Sequence, residues 1–88
     1  MNTAMLLASR FSGPTVHLEQ ISEEFFGITP KSAMRRANDR TLPVPATRLV
    51  DSQRAPWLVH VDDLGNYMDK QFQQARRDWA NSSTEPRK

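Results

Sequence analysis

The sequence predicts a mainly α-helical domain with one small β-hairpin, ordered as a winged helix-turn-helix: a short helix, two helices joined by a tight turn, a hairpin wing and a C-terminal helix. Three observations predict it. Two segments with one-sided apolar spacing are separated only by "GIT" (27–29), as two short consecutive helices would be. Prolines at 43 and 45 then exclude a helix interior and precede the alternating run "WLVHV" (57–61), a strand signal. From Asp62 an apolar stripe at spacings of three and four returns, which is helical.

At 88 residues the chain reads as one domain over 1–80, able to bury roughly 60 to 65% of its unfolded surface. The core is therefore modest. No cysteine is present, so neither disulfides nor a thiolate zinc site can support the fold. The opening "MNTAMLLASRF" is apolar only from Ala4 to Ala8, too short for a signal peptide or a membrane span, and a cytoplasmic location is expected. The end "NSSTEPRK" (81–88) reads as a disordered polar tail.

Taken in order, the first helix is expected from Thr3, as N-cap, to Arg10 or Phe11, stopped by "SGP" at 12–14. In "TVHLEQISEEFFG", Leu18, Ile21, Phe25 and Phe26 recur on one face of a helix, and Gly27 can take the left-handed conformation that ends it. Thr29 caps the next helix and Pro30 suits its first position, giving a helix over Pro30–Asp39. "LPVPATRLV" and "WLVHV", joined by "DSQRAP", form the expected hairpin, with the prolines tolerable only on an edge. In the second strand Trp57, Val59 and Val61 share one face and Leu58 and His60 the other. The last helix takes Asp62 as N-cap and Asp63 in its first turn. Its stripe is Leu64, Met68, Phe72, Ala75 and Trp79, ending at Trp79 or Ala80, with Gly65 a weak point.

Net charge is only +2, but its distribution is uneven. Residues 31–60 hold Lys31, Arg35, Arg36, Arg40, Arg48 and Arg54 against Asp39 and Asp51, a local +4, while residues 1–30 carry −2 and residues 61–88 are neutral. Such asymmetry suggests a surface that faces a polyanion. Four of those cations fall in "TPKSAMRRANDR" (29–40). With Lys31 at zero and about 100° per residue, Ala33, Ala37 and Met34 fall near 200°, 240° and 300°, a small-residue packing face. Lys31, Arg35, Asp39, Ser32 and Arg36 fall between roughly 0° and 140°, on the other side. Arg40 lies at the border, where a cation also complements the helix dipole.

Double-stranded DNA fits that face. Arg35 and Arg36 can fork onto guanine edges, with Ser32 adjacent and Asp39 orienting one of them, while Lys31, Ser32 and the helix start at Thr29 can hold phosphates. Arg48, Ser52, Gln53 and Arg54 lie on or near the hairpin tip, where a wing meets phosphate or the minor groove. The plain alternative is a solvated face with an Arg35–Asp39 pair worth some ~0.2 to 0.5 kcal/mol. Phe72, Ala75 and Trp79 either pack on this domain or pair with a second subunit, giving a homodimer or higher oligomer that reads two half-sites. His17 and His60 share no metal-ligand spacing with the nearby acids, Asp62 and Asp63 are better explained as helix-start residues than as an acid and base, and neither a phosphate loop nor a nucleophile motif is present. No cofactor and no enzyme activity are expected.

The segments "MNTAMLL", "FFGITP", "LPVPATRL" and "DSQRAPWLVHVDDLGNYMD", in this order and spacing, resemble the pyocin activator protein family, and the similarity reaches about residue 75. The resemblance implies a winged-helix-like transcription activator at promoters of bacteriocin or prophage-type genes, in a circuit connected to the DNA-damage response, with RNA polymerase as a further partner. It places the recognition region at 30–40 and the wing loop at "SQRAP", a loop more lysine-rich in the family; here only Arg54 is cationic. Two rivals remain. The helix and hairpin order is also excisionase-like, which would make the chain an architectural protein that bends DNA; otherwise it is an adaptor whose basic face meets an acidic protein.

Overall fold

A computed structural model describes residues 2–83. The described residues are mainly helical: four helices and a two-stranded antiparallel sheet, in the order α1 (Thr3–Phe11), β1 (Thr15–His17), α2 (Leu18–Ile21, continued by a π-helical turn over Ser22–Phe26), α3 (Pro30–Asp39), β2 (Leu58–His60) and α4 (Val61–Ser83).

The cap of α1 is Asn2, not Thr3: the Asn2 side-chain oxygen accepts from the Met5 N–H at 2.8 Å. Thr3 is thereby freed to donate its hydroxyl to Asp69 Oδ1 at 2.6 Å, tying α1 to α4. Ser12 ends the helix in the left-handed region at φ 61°.

The segment expected as one helix from Thr15 divides in two. Its first three residues are strand β1, paired with β2 in the register Thr15↔His60, Val16↔Val59 and His17↔Leu58. The β-branched Thr15 and Val16 favour this, and the periodic residues begin only at Leu18. The Leu18 N–H to Trp57 carbonyl bond (2.9 Å) and the Val61 N–H to Pro14 carbonyl bond (2.8 Å) extend the pairing at both ends. Gly27 closes the π-helical turn at φ 67°, as a residue without Cβ can.

The expected hairpin is corrected too. β2 pairs along its length with β1, and the proline-containing arm contributes only an isolated bridge, Thr47↔Leu58, with bonds of 2.9 and 2.8 Å. Pro43 and Pro45 have no N–H to give a ladder, so pairing starts beyond them. The alternation read from the sequence holds from Val59 on, with Val59 and Val61 buried and His60 exposed, whereas Trp57 and Leu58 are both half-buried.

α4 begins one residue before the expected cap. His60 fills the cap role, its Nδ1 accepting from the Asp62 N–H at 3.0 Å, so Asp62 lies inside the first turn. The helix runs to Ser83, so residues 81–83 of the expected tail are helical; residues 84–88 of that tail lie outside the described residues. Gly65, poor as a helix former, is also a contact point: a Cβ there would sit 3.2 Å from the Ala4 nitrogen and 3.4 Å from its Cα. Its missing side chain lets α1 and α4 approach closely.

One core serves all these elements. Leu7, Val16, Leu18, Ile21, Ala33, Ala37, Val44, Val59, Val61 and Leu64 are buried together. Phe11 meets Phe25, and Phe26 meets Tyr67 edge-on at a centroid distance of 5.4 Å.

Candidate nucleic-acid interface

The site is built on α3. Thr29 is extended (φ −69°, ψ 155°) and its hydroxyl accepts from the Ser32 N–H at 3.2 Å, with Pro30 at the first helical position. At the far end Arg40 takes φ 59°, a conformation that costs a side-chain-bearing residue energy. There the Arg40 N–H reaches the Ala37 carbonyl (3.2 Å) and the Thr41 N–H the Arg36 carbonyl (2.9 Å). These bonds satisfy carbonyls that a helix end leaves open.

Ala33, fully buried, and Ala37 seat α3 against the buried Leu18, Ile21 and Ser22 of the preceding helix and turn. Ser22, buried within that turn, donates its hydroxyl to the Glu19 carbonyl at 3.3 Å. The two stretches are joined by Gly27, Ile28 and Thr29, so α3 is held by small side chains at close range.

On the other side, Lys31, Arg35, Arg36, Asp39 and Arg40 are exposed and Ser32 is half-buried. Among the described residues, the Arg10–Glu24 ion pair and the His60–Asp62 side-chain contact lie elsewhere. No ion pair therefore joins Asp39 to Arg35 or Arg36 among the described residues. Met34, expected on the packing face, is 39% exposed, because its side of α3 faces the 42–57 segment across a groove rather than the core. Arg48, Gln53 and Arg54 line that groove with Met34, His17, Glu19 and Trp57. Asn38 and Arg40 line a second groove with Pro43, Pro45 and Trp57.

The loop residues differ in freedom. Arg48 lies over the Trp57 ring at 4.5 Å, with its Nε buried and lacking a hydrogen-bond partner among the described residues. It is thus packed beside the bridge, and the segment beyond it exposes Leu49 and Val50 instead. Ser52 accepts from the Arg54 N–H at 3.2 Å through its hydroxyl, a local turn that leaves the Gln53 and Arg54 side chains outward and exposed. Asn38 was missed by sequence reasoning. Its wheel position, at about 340° beside Lys31 and Arg35, was the available signal, and its amide is a group able to read adenine.

Phe72, Ala75 and Trp79 belong to no part of this site. They lie along α4 beyond Met68, all exposed, Phe72 at 55% and Trp79 at 79%. Among the described residues there is no group of three His, Asp or Glu placed to hold a metal ion, and no helix is long and apolar enough to cross a membrane.

Comparison with known proteins adds one finding. No curated protein and no solved structure matches the chain. The family described as pyocin activator protein PrtN matches residues 3–75, a span from the first residue of α1 into the exposed part of α4 that includes all of α3 and the loop after it. The chain belongs to the pyocin activator protein family.

Proposed function

We propose that this chain is a cytoplasmic, sequence-specific DNA-binding activator of pyocin-type genes, a regulator and not an enzyme, with α3 as its recognition helix and residues 42–57 as its wing. One observation carries the reading: α3 is seated by Ala33 and Ala37 while Lys31, Arg35, Arg36 and Arg40 face outward, without ion-pair partners among the described residues. Like charges on one short helix repel, and a surface of this kind is best satisfied by phosphates and guanine edges. Family membership supports the regulatory role and promoter DNA as its target. Arg35 and Arg36 read bases with Asn38 beside them, Lys31 and the helix start hold the backbone, and Gln53 and Arg54 meet the flanking phosphate. Subunits act together on the promoter, where RNA polymerase is the further partner, and no cofactor takes part.

Duplex binding measured against salt tests the reading. With about five phosphates neutralised per subunit, log K falls against log salt with a slope of about −4 to −5 per subunit. Footprinting of Arg35→Ala and Arg36→Ala should then lose site preference at a cost of about 1 to 3 kcal/mol per bidentate contact. Uniform weakening across sequences would reassign both residues to phosphates, and no duplex binding at low salt would remove the DNA reading and favour an acidic protein partner.

A further inference from the structure

From Asp69 to Ser82 every residue of α4 is exposed, about 21 Å of helix at 1.5 Å per residue. A helix of that length has marginal stability in water without packing. Its apolar residues are not scattered. Met68, Phe72, Ala75 and Trp79 follow the 4-3-4 spacing of a heptad seam, with Phe72 and Trp79 at a positions and Met68 and Ala75 at d. Arg76 lies along the edge of that seam, its Cζ 5.8 Å from the Phe72 ring centroid.

We infer that the exposed part of α4 pairs antiparallel with the same helix of a second copy, about a two-fold axis between Gln73 and Gln74. Two observations fix the occupant and its direction. Antiparallel pairing sets a against d, so Phe72 meets the partner's Ala75 and Met68 meets the partner's Trp79, a large residue against a smaller one in each layer. Parallel pairing would instead stack Trp79 and Phe72 on their own copies and leave a gap at Ala75 between them.

Charge selects the same arrangement. In that register the flanking e positions bring Asp69 beside the partner's Arg76, twice by symmetry, and the g positions bring Gln71 beside the partner's Asp78. In the parallel register neither Asp69 nor Arg76 faces an opposite charge. Asp69 uses Oδ1 to accept from Thr3 and keeps its second oxygen for the partner. Antiparallel pairing also places the two α1 helices at opposite ends, where each can keep its close contact at Gly65.

Sedimentation equilibrium of the full chain, over a concentration series, tests this. Wild type should be a monomer–dimer mixture, and Trp79→Ala should be monomeric, its helical content lowered by no more than the unpaired end of α4. Asp69→Arg and Arg76→Asp should each raise the dissociation constant about tenfold, from two weakened pairs, and the double swap should restore it. Because the chain lacks cysteine, direction can be read directly. Ala75→Cys mixed with Phe72→Cys should cross-link as a heterodimer, whereas strong cross-linking of Ala75→Cys to itself would overturn the antiparallel register. A chain monomeric at every concentration, free or on DNA, would overturn the pairing and hand the stripe to another protein, and duplex binding by that monomer would leave the DNA reading intact. A dimer that fails to bind DNA would do the reverse.

Discussion

At the scale of single residues, two positions carry backbone constraints with opposite predicted outcomes. Arg40 sits at φ 59°, where a side chain costs about 1 kcal/mol or more. Arg40→Gly should therefore raise stability by about 1 kcal/mol, visible as a higher urea midpoint. The same change removes a cation from the surface proposed to face DNA, so duplex affinity should fall and the salt slope shrink by about one. A variant no more stable than wild type would refute the strain. Gly65 is the converse case. Alanine there gains about 1 kcal/mol of helix propensity, but its Cβ would press on the Ala4 backbone at 3.2 Å. Overpacking costs roughly 1 to 3 kcal/mol, so Gly65→Ala should lose about 1 kcal/mol net, whereas Gly13→Ala, with nothing within 4 Å, should stay within about 0.5 kcal/mol. Both are read by denaturant titration, and a stabilised Gly65→Ala would show that α1 yields freely. Neither position was legible in the sequence: Arg40 read only as a cation and Gly65 only as a poor helix former, because the constraint comes from a turn geometry and a neighbouring helix.

At the scale of elements, what could be read depended on where the signal lay. α3 has the bounds its sequence implies, since Thr29, Pro30 and the Ala33–Ala37 spacing are local and strong. β1 was not legible, because three residues are too few for a period and its partner lies some forty residues away. The wing was misassigned for a related reason: β2 had two candidate neighbours, and the prolines decided against the nearer one. The join between α1 and the π-helical turn was equally hidden. There Arg10 bonds Glu24, its guanidinium 4.8 Å from the Phe11 ring centroid and 5.7 Å from that of Phe25. That hydrogen bond, with the charge of Arg10, holds the Glu24 carboxyl below its ordinary value. A lowered folded value means stability present above the unfolded glutamate pKa of about 4.3 and lost as pH falls through the folded one. Wild type should therefore exceed Glu24→Gln in urea midpoint at neutral pH and converge with it in acid. Both groups are exposed, so the difference should be small and should shrink with salt. A difference unchanged in acid would show that the pair acts through packing and not charge.

At the scale of the whole molecule, the structure separates a compact body from a projecting helix, and its extents of 55 × 30 × 16 Å record that division. The amphipathic stripe of α4 was legible as a pattern, but not its division of labour. Leu64 is buried in the body and Trp79 is 79% exposed, a difference decided by where the shared core ends along the helix. The division has a consequence for DNA if the helices pair as inferred. The two-fold axis lies about 12.5 residues beyond Val61, so the two starts of α4 stand about 37 Å apart at 1.5 Å per residue. One turn of B-DNA spans about 34–36 Å. If α3 is the recognition helix as proposed, its two copies are held at a fixed separation and should prefer half-sites at one spacing, of the order of a helical turn. Inserting about 5 bp between half-sites puts the second on the opposite face of the duplex and should abolish cooperative binding, and inserting about 10 bp should recover at most part of it. Band-shift titrations on the three spacings measure this directly. Equal cooperativity on all three would show that α4 does not set the spacing, while Trp79→Ala should bind every spacing without cooperativity and still protect a single half-site.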